Sequence, residues 1–505
     1  MSRATQHLDS WALHLLQQTA SYFNTHQRKA YLVGGSVRNL LLDEPDTDWD
    51  IATDGDAAKI ARQLANQLGG FYAHMHDKAS RVIVKNDTQE ISFDIAPLQG
   101  RTIEEDLRER DFTLNAIAVP LSAVISYLTA GVALPLIDPT GGQSDLDTHI
   151  LRAVNQSIFK YDPLRMLRAV RFRMRYHLTI DPRTEKMLIR DAALLPHAAP
   201  ERIHDELYAI LKPEGATERL RYLDAHGLLT VLMPEFIPAR GMPQPSLHHW
   251  DVFDHSLETV SALERLLTLL QQTPEEIQHS QLHSNGHDDL ITLHDLLIEA
   301  EQQHILNIAD LLAPPMKLAA LLHDIGKTIT YAVDAEGHIH FYHHPQAGVP
   351  LAQRVMKQLS ASTHDRRLVQ QVVAHHMRPG QLSHDKVTER AIRRYFVELG
   401  PTGIHVALVA LADHLSMRGP EPLTEAWERH LATVRLLLTR YIRERSRILP
   451  PRLIQGEELI RRLHLEPGPI IGQLLEHIAE AQAEGRIHSK DEALWLAEEK
   501  LNREK

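Results

Sequence analysis

The chain contains no cysteine. A disulfide framework and a thiolate metal site are both excluded, so any transition metal must rest on imidazole and carboxylate. Aromatic residues are scarce, at 5% of 505 positions, and the hydrophobic cores must be built from Leu, Ile, Val and Ala. No apolar run approaches the ~20 residues needed to cross a bilayer. The N-terminal stretch from Met1 to Ser21 is polar and has no apolar signal core. These absences predict a cytoplasmic protein with no membrane partner. An excess of positive charge is missing too: 54 Lys and Arg face 66 Asp and Glu, for a net charge of -12. Averaged over the chain this speaks against a nucleic-acid partner, but binding follows local patches rather than the net charge.

What is present divides along the chain. The length predicts roughly two to four domains. Residues 1–30 read as an amphipathic helix, and 31–120 as a small mixed α/β unit. Strands are predicted at Tyr31–Val33, Asp48–Thr53, Arg81–Val84 and Ile91–Ala96, with a turn at Gly34-Gly35-Ser36 and a helix from Val37 to Leu42. Asp138 to Gly142 reads as a loop. From Asp162 the pattern is helical, broken at Leu449-Pro450-Pro451 and Pro467-Gly468-Pro469, with a polar insert at 271–285 read as a loop. The expected fold is α+β: a mixed-sheet head (1–150), an all-α neck (151–240), a histidine-rich helical domain (241–420) and a helical tail (421–505).

Two constellations carry chemistry. In the first, a strand runs into Gly34-Gly35-Ser36-Val37-Arg38 and then a helix. Such a turn lets backbone N–H groups approach an anion, with Arg38 able to reach the same phosphates. Asp48 and Asp50 follow on a strand, where i and i+2 share one face. Two adjacent carboxylates repel unless a cation lies between them, and Mg²⁺ is the hard cation such oxygens take. Asp94 is a candidate third carboxylate from a neighbouring strand.

The segment Val33 to Arg38 with Asp48 to Thr53 resembles the head motif of the class II tRNA nucleotidyltransferase and bacterial poly(A) polymerase family. The resemblance continues in family order through Arg110-Asp111-Phe112-Thr113-Leu114-Asn115-Ala116, Asp138-Pro139 with Gly141-Gly142, Asp162 to Phe172, and Glu201-Arg202-Ile203. It implies catalysis by Asp48 and Asp50 with Mg²⁺, and contact of Arg110, Asp111 and Asn115 with the ribose of the incoming nucleotide. It also implies that Asp162 and Arg165 template CTP and ATP. The chain departs from the family at three places: Tyr161 stands where Glu precedes that Asp, Glu109 where Arg precedes Arg110, and Gln99 where Arg precedes Gly100.

Base choice also follows from hydrogen-bond chemistry. On a helix Asp162 and Arg165 would share one face at i and i+3, one accepting and the other donating. Cytosine and adenine each offer an amino donor beside a ring-nitrogen acceptor; uracil and guanine offer the reverse and leave buried groups unpaired. Arg168 and Arg171 are expected on the triphosphate, and Arg173, Arg175 and Arg202 on RNA.

The second constellation lies where the 33 histidines crowd: His255, His323-Asp324, His344, His375-His376 and Asp413. An adjacent His and Asp can bind one metal and bridge to a second, with other ligands arriving from separate helices. Imidazole with carboxylate suits Mn²⁺, Fe, Co, Ni or Zn²⁺ in an open, hydrolytic site. His249 is a candidate to replace or support His255, and Lys327 a candidate phosphate contact. The run His323-Asp324-Ile325-Gly326-Lys327 resembles the HD phosphohydrolase superfamily, which implies phosphatase or 2′,3′-cyclic phosphodiesterase activity. The expected partners are tRNA, CTP and ATP, and the expected activity is CCA addition. A-only addition, poly(A) synthesis, and an HD phosphohydrolase with a non-catalytic RNA-binding head remain alternatives.

Overall fold

The computed structural model describes residues 9–44, 47–76, 79–279, 287–384, 387–420 and 423–503. It forms two compact units, one running to Ala199 and including His226–Leu228, the other comprising Pro200–Ala225 and the chain from Leu229. The fold is α+β, with one six-stranded mixed sheet in the first unit and helices dominating elsewhere.

That sheet contains β1 (Ala30–Val33), β2 (Asp48–Thr53), β3 (Phe71–His76), β4 (Ala79–Lys85), β5 (Glu90–Pro97) and β6 (Ala118–Pro120), in the order β3-β4-β5-β2-β1-β6. The pairings are antiparallel except β2 with β5, which is parallel. Trp49, Ile51, Val82, Phe93 and Ile95 point into a core closed by helices Ser10–Thr25, Ala57–Leu68 and Leu121–Ala130. Their polar neighbours therefore line the other face, because successive strand residues alternate. Asp9 caps the first of these helices, accepting from Ala12 N at 2.7 Å; the part of the expected helix before Asp9 lies outside the described residues. Strands β3 and β6 escape a sequence reading, since β3 leaves Phe71 exposed and β6 has three residues ending in proline.

The helix expected over Asp162–Phe172 instead begins at Arg165, and Asp162 is extended at φ -143° and ψ 99°. Pro163 is the reason: its ring disfavours the α conformation in the residue before it. Asp162 Oδ1 accepts from Leu164 N at 3.2 Å, a short turn that leads into the helix.

In the second unit, helices Val252–Leu269, Pro314–Leu322, His344–Gln358, Thr363–His375 and Thr402–Met417 pack on one another. Gly326 permits the tightest approach: a Cβ there would lie 2.0 Å from the His344 carbonyl oxygen. The tail has its own core of Leu459, Leu474, Ile478, Ala493 and Leu496, with helices broken at both proline clusters. The insert read as a loop at 271–285 holds one helix, Pro274–Gln278, started by a capping box between Thr273 and Glu276; residues 280–286 lie outside the described residues. Among the described residues no single helix is long and apolar enough to cross a membrane.

Lys317 is 1% exposed. Its Nζ donates to the carbonyls of Leu211 at 2.8 Å and Pro213 at 3.0 Å, and lies 2.7 Å from Glu264 Oε1. It thus closes the end of helix Pro200–Leu211. Replacing Lys317 by Met leaves Glu264 and these carbonyls buried without their cation. We expect a loss of about 3–5 kcal/mol, read as a lower denaturant midpoint, and partial recovery in Lys317→Met/Glu264→Leu.

Candidate functional site

The head site begins at Gly34, whose φ of +65° turns β1 into helix Gly34–Leu41. Its missing side chain leaves room for two others: a Cβ would meet Arg110 Nη1 at 3.0 Å and Asp50 Oδ2 at 3.2 Å. Ser36 ties this turn to β2, donating to the Asp48 carbonyl at 3.0 Å and accepting from Asp50 N at 2.8 Å. Asp48 is exposed and Asp50 half-buried, with buried Trp49 pointing the opposite way. The parallel register sets Asp50 beside Asp94 and Asp48 beside Ser92. Ser92 Oγ donates to Asp48 Oδ1. Like charges opposite one another destabilise a sheet, so this face suits a divalent cation. Asp94 is already engaged: Arg81 Nε and Nη2 donate to its two oxygens at 2.6 and 2.7 Å.

Behind this face runs a chain of polar contacts. Arg168 Nε and Nη2 donate to Asp111 Oδ2 at 3.0 and 2.8 Å, and Asn115 Nδ2 donates to Asp111 Oδ1 at 3.0 Å. Arg38 Nη1 donates to Asn115 Oδ1 at 2.6 Å. Arg38, expected in the first turn of a helix from Val37, lies later because the helix already starts at Gly34. It sits in the last turn of its helix, 5% exposed, with its guanidinium 4.6 Å from the Tyr176 ring centre. Arg168 likewise pairs with a carboxylate. Burial opposes ionising Asp111, but Arg168 and Asn115 hold its carboxyl below the usual range. Arg110 bonds Asp106 Oδ2 at 3.0 Å. Arg165 Nη2 donates to the Glu109 carbonyl at 3.1 Å, linking the helix after Asp162 to the segment that carries Arg110 and Asp111. Arg171 lies over Phe172, Arg173 Nη1 meets Met174 Sδ at 3.1 Å, and Arg175 and Arg202 are exposed.

The second site gathers His255, His323, Asp324, His344, His376 and Asp413. Asp324 is its centre, at the end of helix Pro314–Leu322 and 2% exposed. Its Oδ2 lies 3.2 Å from His323 Nε2 and 3.5 Å from His255 Nε2; its Oδ1 lies 3.1 Å from His344 Nε2 and 3.5 Å from His376 Nε2. His255 Nε2 also lies 2.9 Å from Asp413 Oδ1. Two ligand groups, His255–His323–Asp324 and Asp324–His344–His376, thus share one carboxylate.

The histidines are locked in a metal-ready orientation. The Nδ1 atoms of His323, His344 and His376 face the carbonyls of Ala320, Phe341 and Val373 at 2.7, 2.9 and 2.9 Å. Carbonyls only accept, so each Nδ1 carries the proton and each Nε2 turns a lone pair inward. The Nε2 atoms of His344 and His376 are 3.3 Å apart, and buried His323 Nε2 faces Asp324 Oδ2 at 3.2 Å without a well-directed hydrogen bond. Lone pairs and a carboxylate crowded at these distances need a cation, and the residues fit a divalent metal. Burial opposes charge on His323, yet Asp324 raises its imidazole to about 10, so a second proton and a metal compete for the same Nε2. Burial likewise opposes ionising Asp324, while Lys327 and His323 hold it well below the usual carboxylate range.

Three expectations at this site change. His375 is not brought in; its Nε2 lies 3.7 Å from Glu398 Oε1, because consecutive helical residues point about 100° apart. His249 is exposed, whereas His248, which a sequence reading misses, places its ring 5.5 Å from that of His255. Lys327 is 7% exposed and bonds inward, 2.5 Å from Asp324 Oδ2 and 2.7 Å from Gln244 Oε1.

A carboxylate pair beside a glycine turn and a histidine–aspartate cage define the class: a nucleotidyl-transfer head joined to an HD domain. Comparison with known proteins agrees. Residues 30–152 match the poly A polymerase head domain, 177–240 the probable RNA and SrmB-binding site of polymerase A, and 301–418 the HD domain. The chain is 33% identical to the A-adding tRNA nucleotidyltransferase of Deinococcus radiodurans, over 92% of this chain and 94% of that one. It is 31% identical to the CC-adding tRNA nucleotidyltransferase of Thermus thermophilus, over 92% of each. A multifunctional CCA protein of Teredinibacter turnerae is 30% identical over 69% of this chain and 74% of that one. The fold is shared with a Thermotoga maritima CCA-adding enzyme solved with tRNA, at 21% identity and a TM-score of 0.59, covering 99% of this chain and 98% of that one. The chain belongs to the tRNA nucleotidyltransferase and poly(A) polymerase family and carries an HD domain.

Two tests follow. His376→Ala should sharply lower the transition metal retained after purification, measured by elemental analysis, while His375→Ala retains it. Because the folded pKa of Asp111 is depressed, its charge stabilises the fold above about pH 4, and that contribution is lost as pH falls through the folded value. Asp111→Asn should therefore be less stable than the wild-type chain near neutrality, and the difference should shrink in denaturation series below pH 4.

Proposed function

We propose that the chain builds the CCA end of tRNA, adding C and A from CTP and ATP to the RNA 3′-hydroxyl without a template strand. The observation that carries this reading is the shared face of Asp48 and Asp50 beside the Gly34 turn. These two carboxylates are the residues that would hold Mg²⁺, which when bound stabilises charge on the attacking and leaving oxygens. Gly34 and Gly35 leave the backbone open to a triphosphate, and Ser36 fixes the turn against β2. Arg110, Asp111 and Asn115 bound the ribose. Arg38 and Arg168 act from behind by holding Asn115 and Asp111 in place. Asp162 accepts from the amino group of C or A, and Arg165 donates to the ring nitrogen; its guanidinium keeps further N–H groups beyond the one on Glu109. Arg171, Arg173, Arg175 and Arg202 serve phosphates and RNA backbone.

The functional division we propose is a head at 1–150, a neck at 151–240, an HD domain at 241–420 and an RNA-facing tail at 421–505. His255, His323, Asp324, His344, His376 and Asp413 would hold a transition metal such as Mn²⁺, Ni²⁺, Fe or Co. The metal supplies an activated water when bound, and the site would hydrolyse phosphoesters at RNA 3′ ends. A tRNA substrate places this work in the cytoplasm.

A second reading, addition of only part of CCA, has a specific observation in its favour. The relatives aligned over more than nine-tenths of both chains include A-adding and CC-adding enzymes. The multifunctional CCA protein of Teredinibacter turnerae aligns over 69% of this chain.

The test is extension of tRNA transcripts lacking one, two or three terminal nucleotides, with Mg²⁺ and single labelled nucleotides. C, C and A in order, followed by a stop, is the expected result. A alone on a CC end, or C alone on a bare end, selects the second reading. Asp48→Ala/Asp50→Ala should reduce incorporation at least a thousandfold, roughly the scale of losing a catalytic metal site. No incorporation by the wild-type chain would overturn both readings.

A further inference from the structure

One transverse row of the head sheet reads Arg81 on β4, Asp94 on β5 and Asp50 on β2, each residue in register with the next. A cation stands at one end of the row and two carboxylates follow. The Arg81–Asp94 contact is a fork on a fork, with both carboxylate oxygens taken at 2.6 and 2.7 Å. A free third carboxylate in this row would face the metal that Asp48 and Asp50 attract. Bidentate pairing with arginine takes one lone pair on each oxygen and ties the carboxylate towards β4, away from the Asp48–Asp50 pair. The side chains of Arg81 and Asp94 are 31% and 21% exposed, so the pair borders solvent and can open without unpacking the core. On the far side of Asp50 stands Arg110, whose Nη1 crowds the same spot above Gly34 as Asp50 Oδ2. The acidic pair is thus bracketed by two guanidiniums, and of the two it is Arg81 that is anchored on a carboxylate facing the pair. Asp106, which anchors Arg110, is buried instead beneath the segment after Gln99.

We propose that Arg81 is a positioning residue that sets how tightly the head binds divalent cations, by holding Asp94 out of the ligand set as an internal counter-cation. The inference rests on the reading of Asp48 and Asp50 as metal ligands. It gives Asp94 a different task from theirs: Asp94 tethers Arg81 rather than ligating the metal directly. Removing Arg81 leaves a partly buried carboxylate without its partner, and a divalent cation becomes its best replacement.

The test is a Mn²⁺ titration of the full chain followed by electron paramagnetic resonance, without RNA or nucleotide. Sites absent from Asp48→Ala/Asp50→Ala are assigned to the head. Arg81→Met should tighten Mn²⁺ at those sites by about tenfold. Arg81→Lys, which keeps a cation but loses the fork, should fall between it and the wild-type chain. In Asp94→Asn/Arg81→Met the gain should vanish. Unchanged or weaker Mn²⁺ binding in Arg81→Met, with the head sites still present, would overturn the inference and leave the proposed function standing. Equal Mn²⁺ binding by the wild-type chain and Asp48→Ala/Asp50→Ala would remove both together.

Discussion

The parallel pairing of β2 with β5 is the constraint on which the head depends. Parallel neighbours need a long crossover, and here the connection runs through helix Ala57–Leu68 and strands β3 and β4. The register aligns two acidic positions that lie far apart in sequence, Asp50 and Asp94, on the face opposite the core. Everything near them answers that concentration of negative charge. The glycine turn keeps bulk away, Ser36 and Ser92 fix the Asp48 segment, and guanidiniums stand on both sides. The hydrophobic side of the same strands makes the arrangement rigid, because Trp49 and Phe93, next in sequence to Asp50 and Asp94, are buried in the core on the opposite face.

The HD domain meets the same problem with a different material. Its carboxylate is buried, and the groups gathered on it are imidazoles from several helices together with Lys327, rather than the guanidiniums of Arg81 and Arg110. Gly326 is the hinge of that solution, since the approach of its backbone to the His344 carbonyl brings Asp324 and His344 to one point. Lys327, next along the chain, then compensates Asp324 from the other side.

The sequence was legible where chemistry sits on short, regular spacing. Asp48 and Asp50 alternate around Trp49 as a strand demands, and the strand boundaries there coincide with the structure. His323-Asp324 follows an apolar helix and does so in the structure. Legibility failed where direction depends on distant partners. The burial of Arg38 could not be read from its motif, because it is set by Asn115 and Tyr176, which lie far along the chain. The choice between His375 and His376, and the place of His248 rather than His249 beside His255, turn on helix and loop phase that spacing alone leaves open. Asp162 was placed on a helix although Pro163 already carried the signal against it. Arg81 gave no sign at all, because its meaning arises only from cross-strand register.

The carbonyl anchors on His323, His344 and His376 bear on how quickly the HD centre exchanges its metal. Each ring is tied to the backbone three residues earlier, so a ligand cannot swing away without giving up that hydrogen bond. Release of an ion would then require several such hydrogen bonds to break, not the free rotation of a single side chain. A centre built this way would favour residence over rapid exchange: an ion once seated would be held while the surrounding pool changes.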